Sequence, residues 1–493
     1  MPPESRTSPA ASASEAPGAA VLDQRAALAL LRERAAVVEE LGTLFAGAGH
    51  ELALVGGPVR DAFLGRVVDD LDLTTDARPE RVLEVVSGWA DATWDVGIAF
   101  GTVGVRKGDH KLEITTYRAE AYDRASRKPE VTYGDSLADD LVRRDFTVNA
   151  LAVRLPSWEL VDLHDGVGDL GRRVLRTPGT PEESFSDDPL RMMRAARFAS
   201  TLGFDVAPEV VAAMEAMYGR LAIVSAERVR DELVKLVLGA HPRAGLTLMV
   251  STGLAELVLP ELPALALEVD EHHRHKDVYE HTLTVLEQAI DLETSHEPVT
   301  APDFVLRFAA LMHDVGKPRT RRFEDDGRVS FHHHEVVGAR ITRKRMQTLR
   351  FSTETTDQVC DLVALHLRFH GYGDGEWTDS AVRRYVRDAG DQLVRLHKLT
   401  RADCTTRNKR KADRLARTYD ELEERIDRLS EEEELAAIRP ALDGNAIMAI
   451  LGIPPGREVG EAYRFLLELR LDQGPMSDAD AESALRAWWA ARP

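Results

Sequence analysis

Two short stretches, Leu54-Val-Gly-Gly-Pro-Val-Arg-Asp61 and Asp69-Asp-Leu-Asp-Leu-Thr-Thr75, decide the fold of the first part of this chain. In the first, the apolar residues before the two glycines predict a short strand. Pro58 predicts the start of a helix, because proline is favoured in a first helical turn. The amides of the glycine pair can approach a phosphate closely since no Cβ intrudes, and a helix N-terminus adds partial positive charge. The stretch therefore predicts an anion-binding turn that Arg60, one turn into the helix, can also reach.

The second stretch carries paired carboxylates. Asp70 and Asp72 stand at positions i and i+2 of a predicted strand, so both side chains project from one face. Neighbouring carboxylates repel each other, and Mg²⁺ relieves that repulsion while it holds a triphosphate. Glu113, within Leu112-Glu-Ile-Thr-Thr-Tyr-Arg118, alternates with apolar residues on another predicted strand and is a candidate third carboxylate. A bare Asp-x-Asp usually indicates a solvated acidic hairpin, but the glycine element upstream favours a two-metal site for nucleotidyl transfer.

A third stretch, Asp187-Asp-Pro-Leu-Arg-Met-Met-Arg-Ala-Ala-Arg-Phe198, predicts a helix with arginines three residues apart. Arg191, Arg194 and Arg197 drift slowly along one face, and Asp188 precedes them by one turn. A carboxylate accepts from an exocyclic amine and an arginine donates to a ring nitrogen or carbonyl, so Asp188 with Arg191 suits cytosine and adenine. The remaining arginines can bind a triphosphate. The alternative interpretation is an ordinary charged helix with acidic residues in its first turn.

The composition limits the class of protein. The chain has 493 residues, a length that predicts about three domains, and its 44% of hydrophobic residues is enough for folded cores. Its net charge is −20. An acidic chain is unsuited to coating DNA non-specifically, although a local basic surface can still bind nucleic acid. Two cysteines, Cys360 and Cys404, exclude a disulfide framework and suit a reducing compartment. No apolar run approaches the roughly 18 residues of a membrane span. We therefore expect a cytoplasmic protein that does not cross a membrane.

The stretches quoted above resemble the motifs of the class II CCA-adding tRNA nucleotidyltransferases and bacterial poly(A) polymerases. Gly-Gly-x-Val-Arg-Asp with Asp-x-Asp resembles the catalytic motif, and Arg143-Arg-Asp-Phe-Thr-Val-Asn-Ala150 resembles the motif that discriminates ribose. Residues 161–176 are similar to the hinge between head and neck. The Asp188/Arg191 helix resembles the amino-acid template for nucleobases, and residues 225–235 resemble the last motif, which stabilises the neck.

The resemblance implies a template-independent enzyme that adds C, C and A to the 3′ end of tRNA from CTP and ATP. It implies a polymerase-beta-like head in which Asp70 and Asp72 bind Mg²⁺. The nucleotide contacts that it implies all lie within the motifs: Gly57, Arg60, Arg144, Asp188, Arg191, Arg194 and Arg197.

Related activities within the family must be weighed against this one. Poly(A) polymerases tend to carry a basic stretch after the second carboxylate, whereas residues 96–102 read Val-Gly-Ile-Ala-Phe-Gly-Thr, without a basic pair. The polar segment 119–140 resembles the loop with which full CCA enzymes switch to ATP. We therefore expect complete CCA addition, with poly(A) synthesis or addition of CC alone as competing interpretations.

Histidines concentrate in the second half of the chain, where 12 of the 16 lie between His272 and His397. Their order resembles the HD phosphohydrolase superfamily, often bound to one or two divalent metals. Imidazole with carboxylate suits Mn, Ni, Fe or Zn, and Mg for harder sites. We expect a metal there, and a metal-bound water could attack a phosphate ester, for example a 2′,3′-cyclic phosphate on damaged RNA. The predicted ligands are His281, His313, Asp314, His334, His366 and Asp403.

Two further interpretations of the second half compete with this one. A degenerate HD bundle would serve only to bind tRNA, and an active phosphohydrolase could accompany an inactive head. Basic clusters at residues 317–322, 340–350 and 407–411 are candidate phosphate contacts for tRNA.

The predicted elements indicate an α+β fold. A helix over residues 26–49 and short strands at 51–55, 67–74, 102–106, 111–117, 149–153 and 159–163 predict a small mixed sheet, and the rest is helical. A long charged helix is predicted at 401–428. We expect a disordered tail at 1–22, a nucleotidyltransferase head at 23–165, a helical neck with the base-recognition helix at 166–262, an HD-type helical domain at 263–428 and a helical region at 429–493.

Overall fold

A computed structural model describes residues 21–66, 70–94, 101–117, 134, 136–266, 277–325, 329–371, 377–406, 408–433 and 439–492. The chain divides into two compact units, one of residues 1–224 with 251–254 and one of residues 225–250 with 255–493. Several predicted features fall outside the described residues: most of the tail at 1–22, residues 96–100, most of the polar segment 119–140, and Arg407. None of the described helices is long and apolar enough to cross a lipid bilayer.

The first unit is built on one mixed sheet with the described strand order β3-β4-β5-β2-β1-β6-β7. Strands β2 and β5 run parallel, and the other neighbouring strands are antiparallel. The predicted α+β class with a mixed sheet is confirmed, although β3, a short edge strand, was not predicted. The strands are β1 Leu52–Val55, β2 Asp70–Thr75, β3 Ala92–Trp94, β4 Thr102–Lys107, β5 His110–Thr116, β6 Leu151–Leu155 and β7 Glu159–Asp162.

Most helices of the first unit begin where the sequence supplies a capping side chain or a proline. Proline stands in the first turn of α3, α4 and α9, where its missing N–H costs no hydrogen bond. The continuous helix predicted for residues 26–49 is interrupted at Ala35. The helices are α1 Gln24–Arg34, α2 Ala36–Gly47, α3 Gly57–Phe63, α4 Pro79–Val86, α5 Leu137–Val142, α6 Gly166–Arg172, α7 Pro181–Asp187, α8 Leu190–Leu202 and α9 Pro208–Met217. A two-stranded parallel pair, β8 Val174–Leu175 and β9 Asp205–Val206, completes the unit.

The predicted base-recognition helix starts later than the sequence suggested. Asp187 is the last residue of α7, Asp188 has an extended backbone, and α8 begins at Leu190. The reason is Pro189, because the residue before a proline is sterically disfavoured in the helical conformation. The prediction that Asp188 lies within the helix is therefore wrong: it lies just before the helix, where its Oδ1 accepts a hydrogen bond from the Leu190 amide at 3.1 Å.

In its described residues the second unit is helical, apart from a short strand pair of β10 Arg322–Phe323 and β11 Val329–Ser330. The long charged helix predicted for 401–428 is divided, since α19 ends at Ala402 and α20 begins at Lys409. The helices are α10 Ala226–Val237, α11 Pro242–Ser251, α12 Leu254–Val258, α13 Val278–Ser295, α14 Phe304–Met312, α15 Lys317–Thr320, α16 His334–Thr348, α17 Thr353–Leu365, α18 Asp379–Ala389, α19 Leu393–Ala402, α20 Lys409–Glu433, α21 Gly444–Leu451, α22 Arg457–Gln473 and α23 Asp478–Ala490.

Five helices of this unit pack side by side: α14 against α13, α17 and α19, and α16 against α17. The start of α16 approaches the backbone that follows α14 very closely. A Cβ at Gly316 would overlap the His334 carbonyl and lie 2.8 Å from the Gly338 amide, so only glycine fits there. This close approach sets the position of His334 relative to His313 and Asp314.

Candidate functional site

The three predicted catalytic carboxylates meet on one face of the sheet in the first unit. Parallel pairing of β2 with β5 places Asp72 directly beside Glu113, and Asp70 stands two residues before Asp72 on the same face. All three side chains are exposed, whereas Leu71 and Leu73, which alternate with the aspartates along β2, are buried in the core. The structure therefore brings Glu113 to the carboxylate pair, which sequence spacing alone could not establish.

The electrostatics of these carboxylates favour a bound cation. Although Asp72 as a whole residue is exposed, the surrounding protein partly desolvates its carboxylate, and this desolvation and the neighbouring charges of Glu113 and Asp70 raise its pKa, while Arg144 and Arg194 act in the opposite direction. A raised carboxyl pKa shows that the ionised group is not fully compensated by the protein's own charges. A divalent cation held by these oxygens would supply that compensation, so the residues fit the predicted metal.

The turn after β1 has the backbone conformation that the glycine pair predicted. Gly56 has φ +74° and ψ −127°, a conformation that residues with a side chain rarely adopt. A Cβ at this position would lie 3.0 Å from Nη1 of Arg144, so the guanidinium of Arg144 covers the turn. Its Nε is buried and makes no hydrogen bond to the described residues. Gly57 follows as the first residue of α3.

A hydrogen-bond network fixes Arg60 beside this turn. Its Nε and Nη2 donate to the two carboxylate oxygens of Asp61 at 2.9 and 2.8 Å, and its Nη1 donates to Asn149 Oδ1 at 2.7 Å. Asn149 in turn donates to Asp145 Oδ1 at 2.9 Å, and Arg194 donates to Asp145 Oδ2 at 2.7 Å. The network thus joins three parts of the unit, which are α3, α8 and the segment that precedes β6.

Sequence reasoning singled out the arginines of this network but not their partners. Asp61, Asp145 and Asn149 are all buried. Burial alone would raise the pKa of Asp145, but Arg194 and Asn149 outweigh it and hold this pKa far below its usual range. Asp61 ends the glycine stretch 54–61, and Asp145 and Asn149 lie within the stretch 143–150. A signal was available, because buried guanidinium groups require acceptors.

Three guanidinium groups surround the ring of Phe198. The distances from the guanidinium carbon to the ring centroid are 5.3 Å for Arg60, 5.6 Å for Arg194 and 4.0 Å for Arg197. Phe198 itself packs edge-on against Phe146. Two arginines of α8, Arg194 and Arg197, are thus gathered with Arg60 around one ring, and Arg194 also acts electrostatically on Asp72.

Arg191 lies deeper than the other arginines of α8. Its Nη1 donates to Ser184 Oγ at 2.9 Å, its Nη2 donates to the Arg143 carbonyl, and burial lowers its pKa. Asp188 is close enough to act on Arg191 electrostatically. The structure therefore brings the predicted base-reading pair together, with the guanidinium anchored to backbone and hydroxyl groups.

We expect Gly56→Ala to raise KM for CTP and ATP about tenfold, because a Cβ would displace Arg144 and alanine held at φ +74° and ψ −127° would be strained by roughly 1–3 kcal/mol. Steady-state kinetics on the full chain measure this change. Gly49→Ala is the matched control, because Gly49 has φ +83° with nothing within 4 Å of a built Cβ. Equal effects of the two variants on KM would contradict the assigned role of the turn.

We expect Asp145→Asn to destabilise the first unit by about 2 kcal/mol at pH 7, since it removes the charge that Arg194 pairs with. Because the folded pKa of Asp145 is lowered, the stabilisation is present above its ordinary pKa and is lost as the pH falls through the folded value. The difference in thermal unfolding between wild type and variant should therefore stay constant from pH 7 to about 5 and begin to shrink only below about pH 4, where the aspartate of the unfolded chain takes up its proton. A difference that grows on acidification would contradict this prediction.

A second cluster forms in the helical unit from all six predicted HD residues. His281 lies in α13, and His313, Asp314, His366 and Asp403 follow the ends of helices, while His334 begins α16. Two groups of three have ligand atoms within 4.8 Å of one another: His281, His313 and Asp403, and Asp314, His334 and His366. Four of the six residues are almost fully inaccessible to solvent: His313, Asp314, His334 and His366.

The ring nitrogens of the buried histidines are oriented for a metal. Nδ1 of His313, His334 and His366 donates to a backbone carbonyl three residues earlier, at 2.8, 2.9 and 2.7 Å respectively. Their Nε2 atoms are buried and without a hydrogen-bond partner among the described residues. A bond from Nδ1 fixes the tautomer that leaves Nε2 free to coordinate. The donor set therefore fits one or two divalent cations.

The carboxylates of this cluster lie against the same histidines. His334 Nε2 is 3.3 Å from Asp314 Oδ1, and His281 Nε2 is 3.0 Å from Asp403 Oδ1. Burial disfavours charge on His313, but Asp314 and Asp403 outweigh it and raise the pKa of His313 to about 10. Burial lowers the pKa of His366 to about 3. Lys317 also enters the cluster, where its Nζ donates to Asp314 Oδ2 at 2.8 Å.

Three protein-family models match the chain in order. Residues 52–176 match the poly A polymerase head domain, residues 203–265 match the probable RNA and SrmB-binding site of polymerase A, and residues 278–408 match the HD domain.

Curated relatives extend this similarity along the chain. An A-adding tRNA nucleotidyltransferase of Deinococcus radiodurans is 34% identical over 445 residues, which cover 88% of this chain and 95% of that protein. A CCA-adding enzyme of Levilactobacillus brevis is 44% identical over 208 residues, which cover 42% of this chain and 51% of that protein. The match thus spans about half the length of the second relative.

Solved structures have a similar fold. A Bacillus stearothermophilus CCA-adding enzyme in complex with CTP is similar to the chain with a TM-score of 0.63 and 23% identity, over 94% of this chain and 98% of that one. A Thermotoga maritima CCA-adding enzyme complexed with tRNA gives a TM-score of 0.59 and 18% identity over the same shares. At these identities the likeness concerns the fold alone.

Proposed function

This chain belongs to the family of tRNA nucleotidyltransferases and poly(A) polymerases, and on that premise we propose that it adds C, C and A to the 3′ end of tRNA from CTP and ATP, without a nucleic-acid template. The observation that carries the proposal is the placement of Asp72 beside Glu113, next to a turn covered by Arg144. Nucleotidyl transfer forms a bond between the acceptor 3′ oxygen and the α-phosphorus, breaks the bond to the β-phosphate oxygen and releases pyrophosphate.

The chain's own residues form two neighbouring groups, one at the glycine turn after β1 and one on strands β2 and β5. Arg60 and Arg144 flank the glycine turn and are placed to bind the triphosphate, together with Arg194 and Arg197. Asp70 and Asp72 would hold Mg²⁺, which when bound neutralises phosphate charge and orients the reacting groups. Glu113, adjacent to Asp72, is placed to accept a hydrogen bond from the acceptor hydroxyl.

Selection of C and A is assigned to Asp188 and Arg191. A carboxylate acceptor beside a guanidinium donor matches the amine and ring nitrogen of cytosine and adenine, and leaves uracil and guanine with unpaired groups. The anchoring of Arg191 by Ser184 and the Arg143 carbonyl supports this role, because a fixed donor discriminates better than a mobile one.

Addition of A alone is a second candidate function, because the relative aligned over 95% of its own length is named an A-adding enzyme. Poly(A) synthesis and addition of CC alone are the competing activities that the sequence motifs leave open.

Incorporation of labelled CTP and ATP with Mg²⁺ into three RNAs distinguishes these four activities. The RNAs are tRNA lacking CCA, tRNA ending in C, and tRNA ending in CC. We expect C, C and A followed by a stop. Incorporation of A only into tRNA ending in CC would indicate an A-adding enzyme, a stop after CC a CC-adding enzyme, and unlimited A a poly(A) polymerase.

For the second cluster we propose a metal-dependent phosphohydrolase that acts on a phosphate ester of RNA, such as a 2′,3′-cyclic phosphate. The six residues of the two ligand groups would hold the metal, for which nitrogen and oxygen donors favour Mn, Ni, Fe or Zn, or Mg if oxygen predominates. Such a cation, when bound, supplies Lewis acidity to the phosphate. Lys317 is positioned at Asp314 to contact a phosphate oxygen.

The division of the chain into head, neck, HD and C-terminal regions, with the boundaries given above, also remains our proposal, as does a cytoplasmic location. Two free cysteines, Cys360 and Cys404, are compatible with a reducing compartment.

A further inference from the structure

The sheet of the first unit carries an aromatic residue in line with the catalytic carboxylates. Pairing of β3 with β4 sets Trp94 opposite Gly104, pairing of β4 with β5 sets Gly104 opposite Glu113, and pairing of β5 with β2 sets Glu113 opposite Asp72. Directly paired residues project from the same face of a sheet. Trp94, Gly104, Glu113 and Asp72 therefore form one row across four strands.

The indole of Trp94 lies across Gly104, the residue that pairs with Glu113 on the next strand. A Cβ at Gly104 would overlap three atoms of the ring, Cε2, Nε1 and Cζ2, so the missing side chain makes room for the indole. Trp94 is only partly buried, and Gly104 beneath it is buried. One side of the ring is thus packed on the strand, and part of the Trp94 residue remains accessible to solvent.

A second row on the same face adds positive charge. Arg106 pairs with Lys111, and Lys111 pairs with Asp70, two residues along each strand from the first row. Side chains alternate along a strand, so Arg106 and Lys111 share the face of Gly104 and Glu113. Both are exposed. An aromatic ring and two cations thus flank the carboxylates on the side of β4 and β5.

The strand order shows which reactant this surface faces. The glycine turn follows β1, which neighbours β2 on the side away from β5. The attacking and leaving oxygens lie roughly in line on opposite sides of the transferred phosphorus. With the triphosphate at the turn beyond β2, the acceptor hydroxyl must approach over β5 and β4.

We propose that Trp94, Arg106 and Lys111 form the subsite for the 3′ end of the RNA acceptor strand, in which Trp94 stacks on the terminal base. Arg106 and Lys111 bind the phosphodiester groups that precede it. Stacking tolerates every base, because each has a π face, and this suits an acceptor whose last nucleotide changes as the product grows. The inference rests on the proposed function, since it assigns the second substrate of the same reaction.

The test is steady-state nucleotide addition by the full chain to tRNA lacking CCA. Trp94→Ala should raise KM for tRNA about 5- to 100-fold, with KM for CTP unchanged, because stacking on one base is lost. Trp94→Phe should restore most of the affinity. Trp94→Leu is the decisive control, since leucine covers Gly104 but offers no π face. If Trp94→Leu has the wild-type KM for tRNA, the proposal is overturned, and Trp94 serves only to cover Gly104.

A second readout does not depend on turnover. A tRNA with 2-aminopurine as its last nucleotide, bound without CTP or ATP, should lose fluorescence on stacking against wild-type protein. At saturating protein, the same RNA should remain brighter on Trp94→Leu. Equal quenching by both proteins would overturn the stacking assignment.

The charged pair has its own test. Arg106→Gln with Lys111→Gln should reduce the slope of log KM for tRNA against log salt by about 1 to 2, since two phosphate contacts are lost. Arg78→Gln with Arg81→Gln is the matched control. Arg78 is the N-cap residue of α4 and Arg81 lies in the first turn of that helix. Trp89, three residues after the end of α4, accepts a hydrogen bond from Lys107, whose side chain lies on the face of the sheet opposite Arg106. An unchanged slope in the Arg106/Lys111 variant would overturn the assignment.

Failure of the proposed function would look different. If wild-type protein incorporated neither C nor A into any of the three RNAs, the proposed function itself would fail. If wild type is active and these variants match it in KM and quenching, only the subsite is wrong.

Discussion

Asp72→Asn should abolish nucleotide addition, with kcat lowered by at least about 10³-fold, because phosphoryl transfer depends on charge stabilisation that one retained carboxylate cannot supply. Asp72 stands beside Glu113 on the neighbouring strand and shares its face with Asp70. Asp70→Ala should have an effect of the same size. Incorporation of labelled CTP into tRNA lacking CCA measures both variants.

Loss of folding would not produce the same pattern. The pKa of Asp72 is raised by burial and by Glu113 and Asp70, so its ionised form destabilises the folded state above its ordinary pKa. Asp72→Asn removes that charge and should leave the Tm at pH 7 equal to or slightly above that of wild type. The variant should also keep any phosphate-ester hydrolysis by the second unit. Retained nucleotide addition would contradict the site assignment and favour an active phosphohydrolase with an inactive head.

His334→Ala should remove bound divalent metal from the second cluster, since His334 Nε2 is buried, makes no hydrogen bond to the described residues and lies 3.3 Å from Oδ1 of the second predicted ligand Asp314. Loss of one ligand from a metal site generally costs at least ten- to 100-fold in affinity. Metal content after dialysis, measured by mass spectrometry of the elements with Mn, Ni, Zn and Mg offered in turn, gives the result and identifies the metal. Hydrolysis of a 2′,3′-cyclic nucleotide should fall in parallel.

The adjacent histidines supply a matched control. His332 stands two residues earlier in the same run, with its side chain 70% exposed and 3.9 Å from Glu324. His332→Ala should bind metal as wild type does. Equal metal loss in both variants, or none in His334→Ala, would contradict the proposed centre and favour a bundle that serves only to bind tRNA.

Much of the first unit could be predicted from local sequence. The alternation of Leu71 and Leu73 with two aspartates predicts a strand with one solvent-exposed face, and Gly-Gly-Pro predicts the turn and the start of α3. Errors occurred where local signals were weak or conflicting. Pro189 delayed the start of α8, and the helix predicted over 26–49 is interrupted at Ala35. The short edge strand β3 was not predicted, because a strand of three residues is too short to show an alternating pattern.

By itself the sequence determined the family, the fold class and the residue types that carry the chemistry, because motif spacing and side-chain periodicity act over a few residues. The tertiary structure decided which of those residues meet. It placed Glu113 beside Asp72, gathered Arg60, Arg194 and Arg197 around Phe198, and aligned Trp94 with the carboxylates. Strand order, register and helix packing join segments far apart in the chain. They depend on the burial of the whole core, so no local pattern could specify them.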